Sequence, residues 1–334
     1  MARILVTGGG GYCGGVLVPK LLKLGHHVTV FDTFYFGKSH LPLTDPNLNL
    51  VDADIREIDK FTIAVAGIDS VLHLACISND ASFELDENLS TSINLDAFEP
   101  LVRESKKAGV KRFVYASSSS VYGVSDQPNV TEEHPLVPLT LYNKYKGLCE
   151  PILNAYADSE FTVTTFRPAT VCGYSPRLRL DLSVNILTNH AVINSVIRVF
   201  GGNQLRPNLH IEDYADVAIL LLLDAESSQI QGEVFNVGSE NMSILEIAEK
   251  VKEIVRAEFP ERESIEIVLE ESSDLRSYHI NSDKIFRVLG FKPKKNVEDA
   301  IRDLCKAFKD GLISDSMSDN KYYNVKTLKN NNIQ

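Results

Sequence analysis

Apolar residues in the first half of the chain fall into short runs that are separated by segments of helical period. The runs cover residues 3–7, 28–31, 49–52, 70–75, 112–116 and 161–166, and each is too short for a helix. Between them, residues 16–24, 89–108 and 141–156 place apolar positions three and four apart. Strands that alternate with helices of this length predict an α/β fold: a doubly wound parallel sheet with helices on both faces.

After residue 171 the pattern loosens, and loops rich in Arg, Asn and Pro alternate with short elements. We predict that residues 1–172 form a large domain, to which the chain returns near residues 209–237. Residues 173–208 and 238–313 would form a smaller mixed α/β domain that binds the substrate. Residues 314–334 are rich in Asn, Ser, Asp and Lys, which predicts a polar C-terminal tail anchored by Tyr322 and Tyr323.

Composition and charge narrow the class of protein. Of 334 residues 44% are hydrophobic and 24% charged, which is ordinary for a globular protein. The net charge of -11 argues against a general binder of nucleic acid or of acidic membranes. The 5 cysteines have no paired spacing, which favours free thiols over a disulfide framework or a metal site. No signal peptide and no apolar run near the ~20 residues of a membrane span is visible, so we expect a soluble cytoplasmic protein.

A glycine-rich loop follows the first predicted strand and precedes the first predicted helix. Gly8, Gly11 and Gly14 fit the pattern G-x-x-G-x-x-G. Glycine permits the tight turn and the approach of a pyrophosphate to the backbone, and the helix start offers N–H groups to the phosphates. A plain glycine turn has the same local signature, so the loop alone leaves both interpretations open.

Two acidic positions favour the dinucleotide interpretation. Asp32 ends the second strand, about 20 residues beyond the loop, where a carboxylate binds the ribose hydroxyls of NAD and repels the extra phosphate of NADP. Asp54 and Ile55 follow the third strand and suit the edge and face of an adenine. Together with the loop they predict a Rossmann-like domain that binds NAD, with no metal.

A second group of residues is a candidate catalytic site. Tyr142 and Lys146 share a helix face in a Y-x-x-x-K motif, and a nearby ammonium lowers the pKa of a phenol from its usual value near ~10. The motif is weak by itself, because Tyr322 and Lys326 repeat it in the tail, where we expect no chemistry. Ser118 lies in a run of four serines after the fifth strand; such a run is also typical of a polar loop or a helix cap. Strand ends are where ligands bind in such sheets, which favours the catalytic interpretation.

These pieces resemble the extended short-chain dehydrogenase/reductase family of nucleotide-sugar epimerases and dehydratases, over residues 2–310. The matching residues are TGGGGYCGG, Asp32, Asp54-Ile55, His73-Leu74-Ala75, Asn94, SSSSVYG, YNKYK, Arg167-Pro168 and RPNLHIED. The resemblance implies that Tyr142 is the base, that Lys146 is its partner and that Ser118 donates a hydrogen bond to the reacting oxygen. It implies a cofactor site made of Gly8, Gly11, Tyr12, Cys13, Gly14, Asp32, Asp54, Ile55, Leu74, Ala75, Asn94, Tyr142, Lys146 and Pro168.

The resemblance also implies contacts to a nucleotide-diphosphate sugar as substrate. Asn185 and Arg206 occupy the family's positions at the diphosphate, and Ser119 lies beside the catalytic serine. The family's R-x-G-D motif is replaced by residues 271–274, ESSD, so that its arginine is missing and we expect Arg276 to replace it. Arg177 and Arg179 add positive charge. Any single arginine is more often a surface residue, whereas four in one cleft indicate a diphosphate.

The reaction implied is oxidation at C4 of the sugar, by a 4-epimerase or a 4-dehydrogenase. The stretch ATVCGYSPRLRLDLSVN is similar to enzymes of bacterial surface-carbohydrate pathways, including GDP-heptose 4-dehydrogenases. A 4,6-dehydratase or a 4-ketoreductase is the alternative, although dehydratases carry Asp-Glu where this chain has Ser119 and Ser120. A non-catalytic NAD-binding sensor is a third hypothesis, against which the Tyr–Lys pair argues. The resemblance also implies a homodimer through the helices at residues 89–108 and 141–156.

Overall fold

The computed structural model describes residues 1–78, 80–125, 127, 129–262, 264–271 and 277–330. Its strands are β1 (Arg3–Thr7), β2 (His27–Asp32), β3 (Leu48–Asp52), β4 (Ser70–His73), β5 (Arg112–Ala116), β6 (Thr162–Pro168), β7 (Thr170–Cys172), β8 (Val196–Phe200), β9 (Leu205–His210), β10 (Glu233–Val237), β11 (Glu240–Ser243) and β12 (Glu266–Glu270). Its α-helices are α1 (Gly14–Lys23), α2 (Ile58–Val65), α3 (Asp80–Phe83), α4 (Glu87–Thr91), α5 (Phe98–Lys107), α6 (Leu141–Asn154), α7 (Ser183–Asn194), α8 (Ile211–Ile219), α9 (Ser227–Ile230), α10 (Ile244–Glu258), α11 (Asp283–Leu289), α12 (Val297–Lys309) and α13 (Asn324–Asn330).

The central sheet confirms the predicted fold class. Within the described residues it has 7 strands in the order β10-β6-β5-β4-β1-β2-β3, and every pair is parallel. The order reverses between β1 and β4, where Leu5 lies between Thr29 of β2 and Val71 of β4. Such a reversal opens a crevice at the carboxyl ends of the strands, and ligands bind there in open α/β sheets.

Side chains that alternate along the strands fill two apolar layers, one on each face of the sheet. Val6 and Leu72 pack with Leu17 of α1 in one layer, whereas Leu5 and Leu101 of α5 lie in the other. All five side chains are fully buried. Because both faces of the sheet are buried, the strand sequences are continuous apolar runs and do not alternate between apolar and polar residues.

One predicted helix differs from the structure. Residues 89–108 are not one helix but α4, a π-helical turn at Ser92–Asp96 and α5. Asp86 begins α4, because its Oδ1 accepts a hydrogen bond from Leu89 N at 2.9 Å. Pro100, in the first turn of α5, has no N–H to donate to the carbonyl of Asp96, and Ala97 N donates to Ser92 O, five residues back, in the π-helical turn.

The second half of the chain adds two small sheets and a helical layer. β9 pairs with β7 and β11, and β8 pairs with β12. Helices α7, α10 and α12 cover them and bury Leu187, Ile247 and Ile301 in a third apolar cluster. Among the described residues, no helix has both the length and the apolar composition needed to cross a membrane.

Residues 314–330, which we call the C-terminal segment, fold back onto the protein. Ser316 Oγ donates to Asn189 Oδ1 of α7 at 2.6 Å, and Tyr322 O accepts from Leu180 N at 2.9 Å. The Tyr322 ring is buried, and Tyr323 Oη donates to Ser316 O at 2.8 Å. The segment ends in α13, beside the crevice of the large sheet.

Candidate active site

A cavity of about 720 Å³ lies at the carboxyl ends of the central strands. It brings together residues that are far apart in the sequence, from the glycine loop at its start to the C-terminal segment. The sequence-predicted residues that line it are Gly8, Gly11, Tyr12, Cys13, Asp32, Asp54, Ile55, Leu74, Ala75, Ser118, Ser119, Tyr142, Lys146, Pro168, Arg177, Arg179 and Arg206.

The glycine loop forms a cradle that only glycine permits. Gly8 has φ +72°, and a Cβ there would lie 2.6 Å from Ala75 N. A Cβ on Gly14 would lie 2.1 Å from Gly9 O, so this glycine lets the loop turn into α1 although it does not line the cavity. No side chain caps the start of α1. Its N–H groups and positive dipole end therefore suit the diphosphate of a dinucleotide.

The carboxylate of Asp32 is fixed at the end of β2. Oδ2 accepts from Gly10 N at 2.9 Å and Oδ1 accepts from Phe34 N at 2.7 Å. Burial raises the pKa of Asp32, and these two backbone donors oppose that shift. Asp54 and Ile55 form the adjoining wall, where Asp54 pairs with Arg56 at 2.8 Å. The arrangement fits an adenosine, with a carboxylate at its ribose and an apolar wall at its base.

The serine run after β5 is tied to the first turn of α6. Ser118 Oγ lies 2.7 Å from Ser120 Oγ, which donates in turn to Asn143 Oδ1 at 2.5 Å. Ser118 also begins the 3-10 turn at Ser119–Tyr122 by accepting from Ser120 N. One hydroxyl is thus both a helix cap and part of the cavity wall.

Tyr142 is the second residue of α6. Thr140 caps the helix and also donates to Asp80 Oδ1 at 2.5 Å, which brings a carboxylate to this part of the cavity. Burial raises the pKa of the Tyr142 phenol well above its usual value, and the nearby charges of Cys76 and Asp80 add to this rise. The charge of Arg179 lowers it.

Lys146 is buried, and its ammonium group is directed at β5. Nζ donates to Ala116 O at 2.7 Å and lies 5.1 Å from the centre of the Tyr115 ring. Lys146 and Tyr142 line the same cavity, as the Y-x-x-x-K spacing predicts. The charge of Arg179, which the sequence suggested only as a substrate contact, also acts on the phenol and lowers its pKa.

Two predicted residues stand behind the cavity wall instead of lining it. Asn94 Oδ1 accepts from Ile77 N at 2.8 Å and its Nδ2 donates to Ile77 O at 2.9 Å, which fixes the loop after β4. Asn185 Nδ2 donates to Tyr12 Oη at 3.1 Å and its Oδ1 accepts from Gly173 N at 3.0 Å. Asn185 thereby holds the glycine loop against the second half of the chain. Arg276 lies outside the described residues.

The three described arginines of the predicted set have different surroundings. Arg179 pairs with Asp181 at 2.9 Å and also donates to Ser78 Oγ at 3.2 Å. The guanidinium of Arg206 lies 5.4 Å from the centre of the Tyr278 ring. Arg177 stacks on Phe36, with its Cζ 3.7 Å from the ring centre.

Sequence reasoning missed several residues of the cavity wall. Asp80, Asp181, Tyr278, Asn324 and Leu328 all line it. Asp181 stands two positions after Arg179, a spacing that could have indicated their ion pair. Asn324 and Leu328 gave no local signal, because only the folding of the C-terminal segment over the cavity brings them there.

Comparison with known proteins identifies the family. The sequence profile of the NAD dependent epimerase/dehydratase family matches residues 4–238. The chain belongs to this family. NAD is therefore its cofactor, in agreement with the glycine cradle and with Asp32.

The similarity extends over most of the chain. A UDP-glucose 4-epimerase of Lactobacillus helveticus is 30% identical over 322 residues, which cover 90% of this chain and 94% of the relative. The solved structure of MoeE5 in complex with UDP-glucose and NAD is 25% identical, with a TM-score of 0.79, and the match covers 93% of this chain and 100% of MoeE5. A UDP-glucose 4-epimerase of Thermotoga maritima with UDP-glucose shares the fold, at 24% identity and a TM-score of 0.82, over 93% of this chain and 100% of that one.

Proposed function

We propose that this protein oxidises C4 of a nucleotide-diphosphate sugar with NAD, as a 4-epimerase or 4-dehydrogenase of surface-carbohydrate biosynthesis. One observation carries the proposal: the phenol of Tyr142 and the hydroxyl of Ser118 line the same cavity as the glycine cradle and Asp32. An acid–base group and a hydrogen-bond donor thus face the space beside a dinucleotide site, as oxidation of an alcohol requires.

The proton is the part of the reaction that this chain's own residues handle. The glycine loop and Asp32 would hold NAD, which when bound would supply the hydride acceptor for C4 and the positive charge of its nicotinamide ring. Tyr142 takes the hydroxyl proton, and Ser118 donates a hydrogen bond to the oxygen on which negative charge develops. Because burial raises the pKa of Tyr142, the phenolate needs compensation, which Arg179 and the N-terminal end of α6 supply.

Residues of the second half supply the contacts for the nucleotide and diphosphate. Arg206 and Tyr278 form a cation–π contact in the wall of the cavity, and an arginine binds a diphosphate through charge and paired N–H donors. The relatives are named for UDP-glucose, which makes UDP-hexoses the first substrates to test. A 4-keto sugar that receives hydride back on its other face becomes the C4 epimer, whereas release of the 4-keto sugar gives net oxidation.

The residues after Ser118 argue against dehydration. Elimination of water across C5 and C6 needs an acid and a base, and serine hydroxyls at positions 119 and 120 do not titrate near pH 7. Ser120 is also held in hydrogen bonds to Ser118 and Asn143. Detection of a 4-keto-6-deoxy sugar as product would contradict this argument.

The test is turnover of UDP-, GDP-, dTDP- and CDP-sugars, followed by NADH absorbance and by the stereochemistry of the product. Tyr142→Phe removes the proton acceptor and is expected to lower kcat by on the order of 100-fold or more. Tyr145→Phe is the matched control, because this tyrosine is on the same helix but packs edge-on against Phe83. Unchanged turnover in Tyr142→Phe would refute the assignment of the base.

We also propose a homodimer through α5 and α6. Leu148 of α6 is 40% exposed, whereas Gly147 and Cys149 on either side of it are buried. Leu148→Glu is expected to give monomers by light scattering coupled to size exclusion. Ile63→Glu, at a 78% exposed apolar position on α2, is the control that should leave the assembly unchanged.

We place the protein in the cytoplasm. All five cysteines are free, and burial raises the pKa of Cys149 to about 12 and that of Cys172 further still. Such thiols persist unpaired in a reducing compartment. Fractionation of the native cells with an antibody to the protein tests this location.

A further inference from the structure

Arg177 is a buried cation that lacks a full set of partners. Only 5% of the residue is exposed, and its Nε and Nη1 have no hydrogen-bond partner among the described residues. Its Nη2 donates to Asn324 Oδ1 at 2.6 Å, which satisfies one donor group but supplies no negative charge. Burial lowers the pKa of Arg177 to about 9, and repulsion from Arg179 adds to the effect.

The nearby carboxylates are already engaged elsewhere. Asp181 forms its ion pair with Arg179, and both oxygens of Asp32 accept hydrogen bonds from the backbone. A buried guanidinium without a counter-ion is costly, and a ligand with negative charge would remove that cost. Since Arg177 lines the cavity, an anion bound there can reach it.

The position of Arg177 indicates which anion it binds. A Cβ placed on Gly15, the second residue of α1, would lie 3.6 Å from Arg177 Cβ. The charge of Arg177 acts on Asp32 and on Cys13, and its guanidinium stacks on Phe36 in the loop after β2. These residues belong to the dinucleotide half of the cavity, beside the helix start that accepts the cofactor's diphosphate.

The C-terminal segment fixes this guanidinium in place. Asn324 accepts from Arg177, donates through Nδ2 to Ser78 Oγ at 2.9 Å, and donates through its backbone N to Asp181 Oδ2 at 3.2 Å. Asn324 is itself buried, and Leu328 one turn later also lines the cavity. Asn324 thus connects Ser78, in the loop after β4, with Arg177 directly and with Arg179 through Asp181.

We propose that Arg177 binds the diphosphate of the cofactor and that Asn324, from the C-terminal segment, positions it. The inference rests on the proposed function only in taking NAD as the cofactor. The nucleotide sugar carries the same diphosphate chemistry, so the two sources must be separated by experiment.

The experiment measures binding to the full-length protein freed of nucleotide, by calorimetry, with NAD, UDP and adenosine as separate ligands. Arg177→Met is expected to weaken NAD binding on the order of 10- to 100-fold, the range for a lost hydrogen bond to a charged group. UDP and adenosine should bind within about 3-fold of the unchanged protein. Arg177→Lys should recover part of the NAD affinity, because it restores the charge without the fork of donors.

A structural role would give a different result. If Arg177 only supports the fold, Arg177→Met lowers the melting temperature of the nucleotide-free protein. We expect instead an equal or higher melting temperature, because an uncompensated buried charge has been removed, together with a smaller rise on adding NAD. Neither readout depends on turnover, so the outcome is separable from that of Tyr142→Phe.

Two variants test the C-terminal segment. Asn324→Ala should weaken NAD binding by a smaller factor than Arg177→Met, with the same selectivity for NAD over UDP. Lys329→Ala, which removes an exposed cation from the same segment, is the control and should change neither the affinity for NAD nor that for UDP. Loss of UDP affinity with unchanged NAD affinity would overturn the assignment to the cofactor, and unchanged affinity for both would overturn the site.

Discussion

Arg167 and Glu150 form a buried ion pair beneath the serine run. We expect the loss of one partner of this pair to lower the free energy of unfolding. Arg167 Nε donates to Glu150 Oε1 at 2.9 Å, and their side chains are only 5% and 7% exposed. Ser117 Oγ donates to the same carboxylate oxygen at 2.6 Å, and Arg167 Nη1 donates to Tyr122 Oη at 2.7 Å. Pairing with Glu150 raises the pKa of Arg167 against the opposing effect of burial, so the guanidinium stays charged.

Arg167→Met leaves the Glu150 carboxylate buried, with Ser117 as its remaining donor in this network. Breaking one side of a buried pair costs about 3–5 kcal/mol, because the other charge keeps its desolvation penalty. We expect this loss in the free energy of unfolding. The double variant Arg167→Met with Glu150→Leu should recover most of it, because no unpaired charge remains.

The assay is urea unfolding followed by far-UV circular dichroism, because the chain has no Trp for fluorescence. Lys107→Ala is the control: Lys107 is 62% exposed in its pair with Glu104, and ion pairs at the surface contribute about 0.2–1 kcal/mol. A loss below about 1 kcal/mol in Arg167→Met would refute the reasoning, and so would a double variant as unstable as the sum of the singles. Because Ser117 precedes Ser118, we also expect Arg167→Met to lower turnover.

The other predictions concern the cradle, the base and pH. Gly8→Ala should abolish measurable NAD binding in calorimetry, because φ +72° and a Cβ 2.6 Å from Ala75 N leave no room for a methyl group; retained affinity would contradict the cradle. Arg179→Met should raise the kinetic pKa of Tyr142, so that kcat/KM falls more at pH 7 than at pH 10; a uniform fall would argue against this electrostatic role. Burial lowers the pKa of His73 from 6.5 to about 3, so the unfolded chain binds the proton first and stability falls as pH drops from 6.5 towards 3. The fall is up to ~1.4 kcal/mol per pH unit, and His73→Asn should flatten it in urea titrations at pH 7 and 4.5.

The parts of the site that the sequence predicts are those whose signals are local. A glycine loop between a strand and a helix needs only its own residues to be recognised, and Asp32 follows from the strand that it ends. Ser118 is predictable because it follows a strand, and the parallel strands of one sheet end at the same edge, where ligands bind. Tyr142 is predictable from its spacing to Lys146 on one helix face. The sequence did not reveal that Lys146 donates to Ala116 O of β5, because the acceptor that a buried ammonium reaches depends on packing.

The two arginines of the RLR stretch show where sequence reasoning stops. Arg177 and Arg179 have the same side chain and both line the cavity. From the sequence, both were expected to add positive charge for the diphosphate of the substrate. The fold separates them, because Asp181 neutralises Arg179 beside Tyr142, whereas Arg177 packs on Phe36 without a carboxylate of its own. A paired cation adjusts the pKa of a neighbour at low cost, whereas an uncompensated one favours an anionic ligand. The different roles that we propose for the two arginines therefore follow from the position of Asp181 in the folded protein.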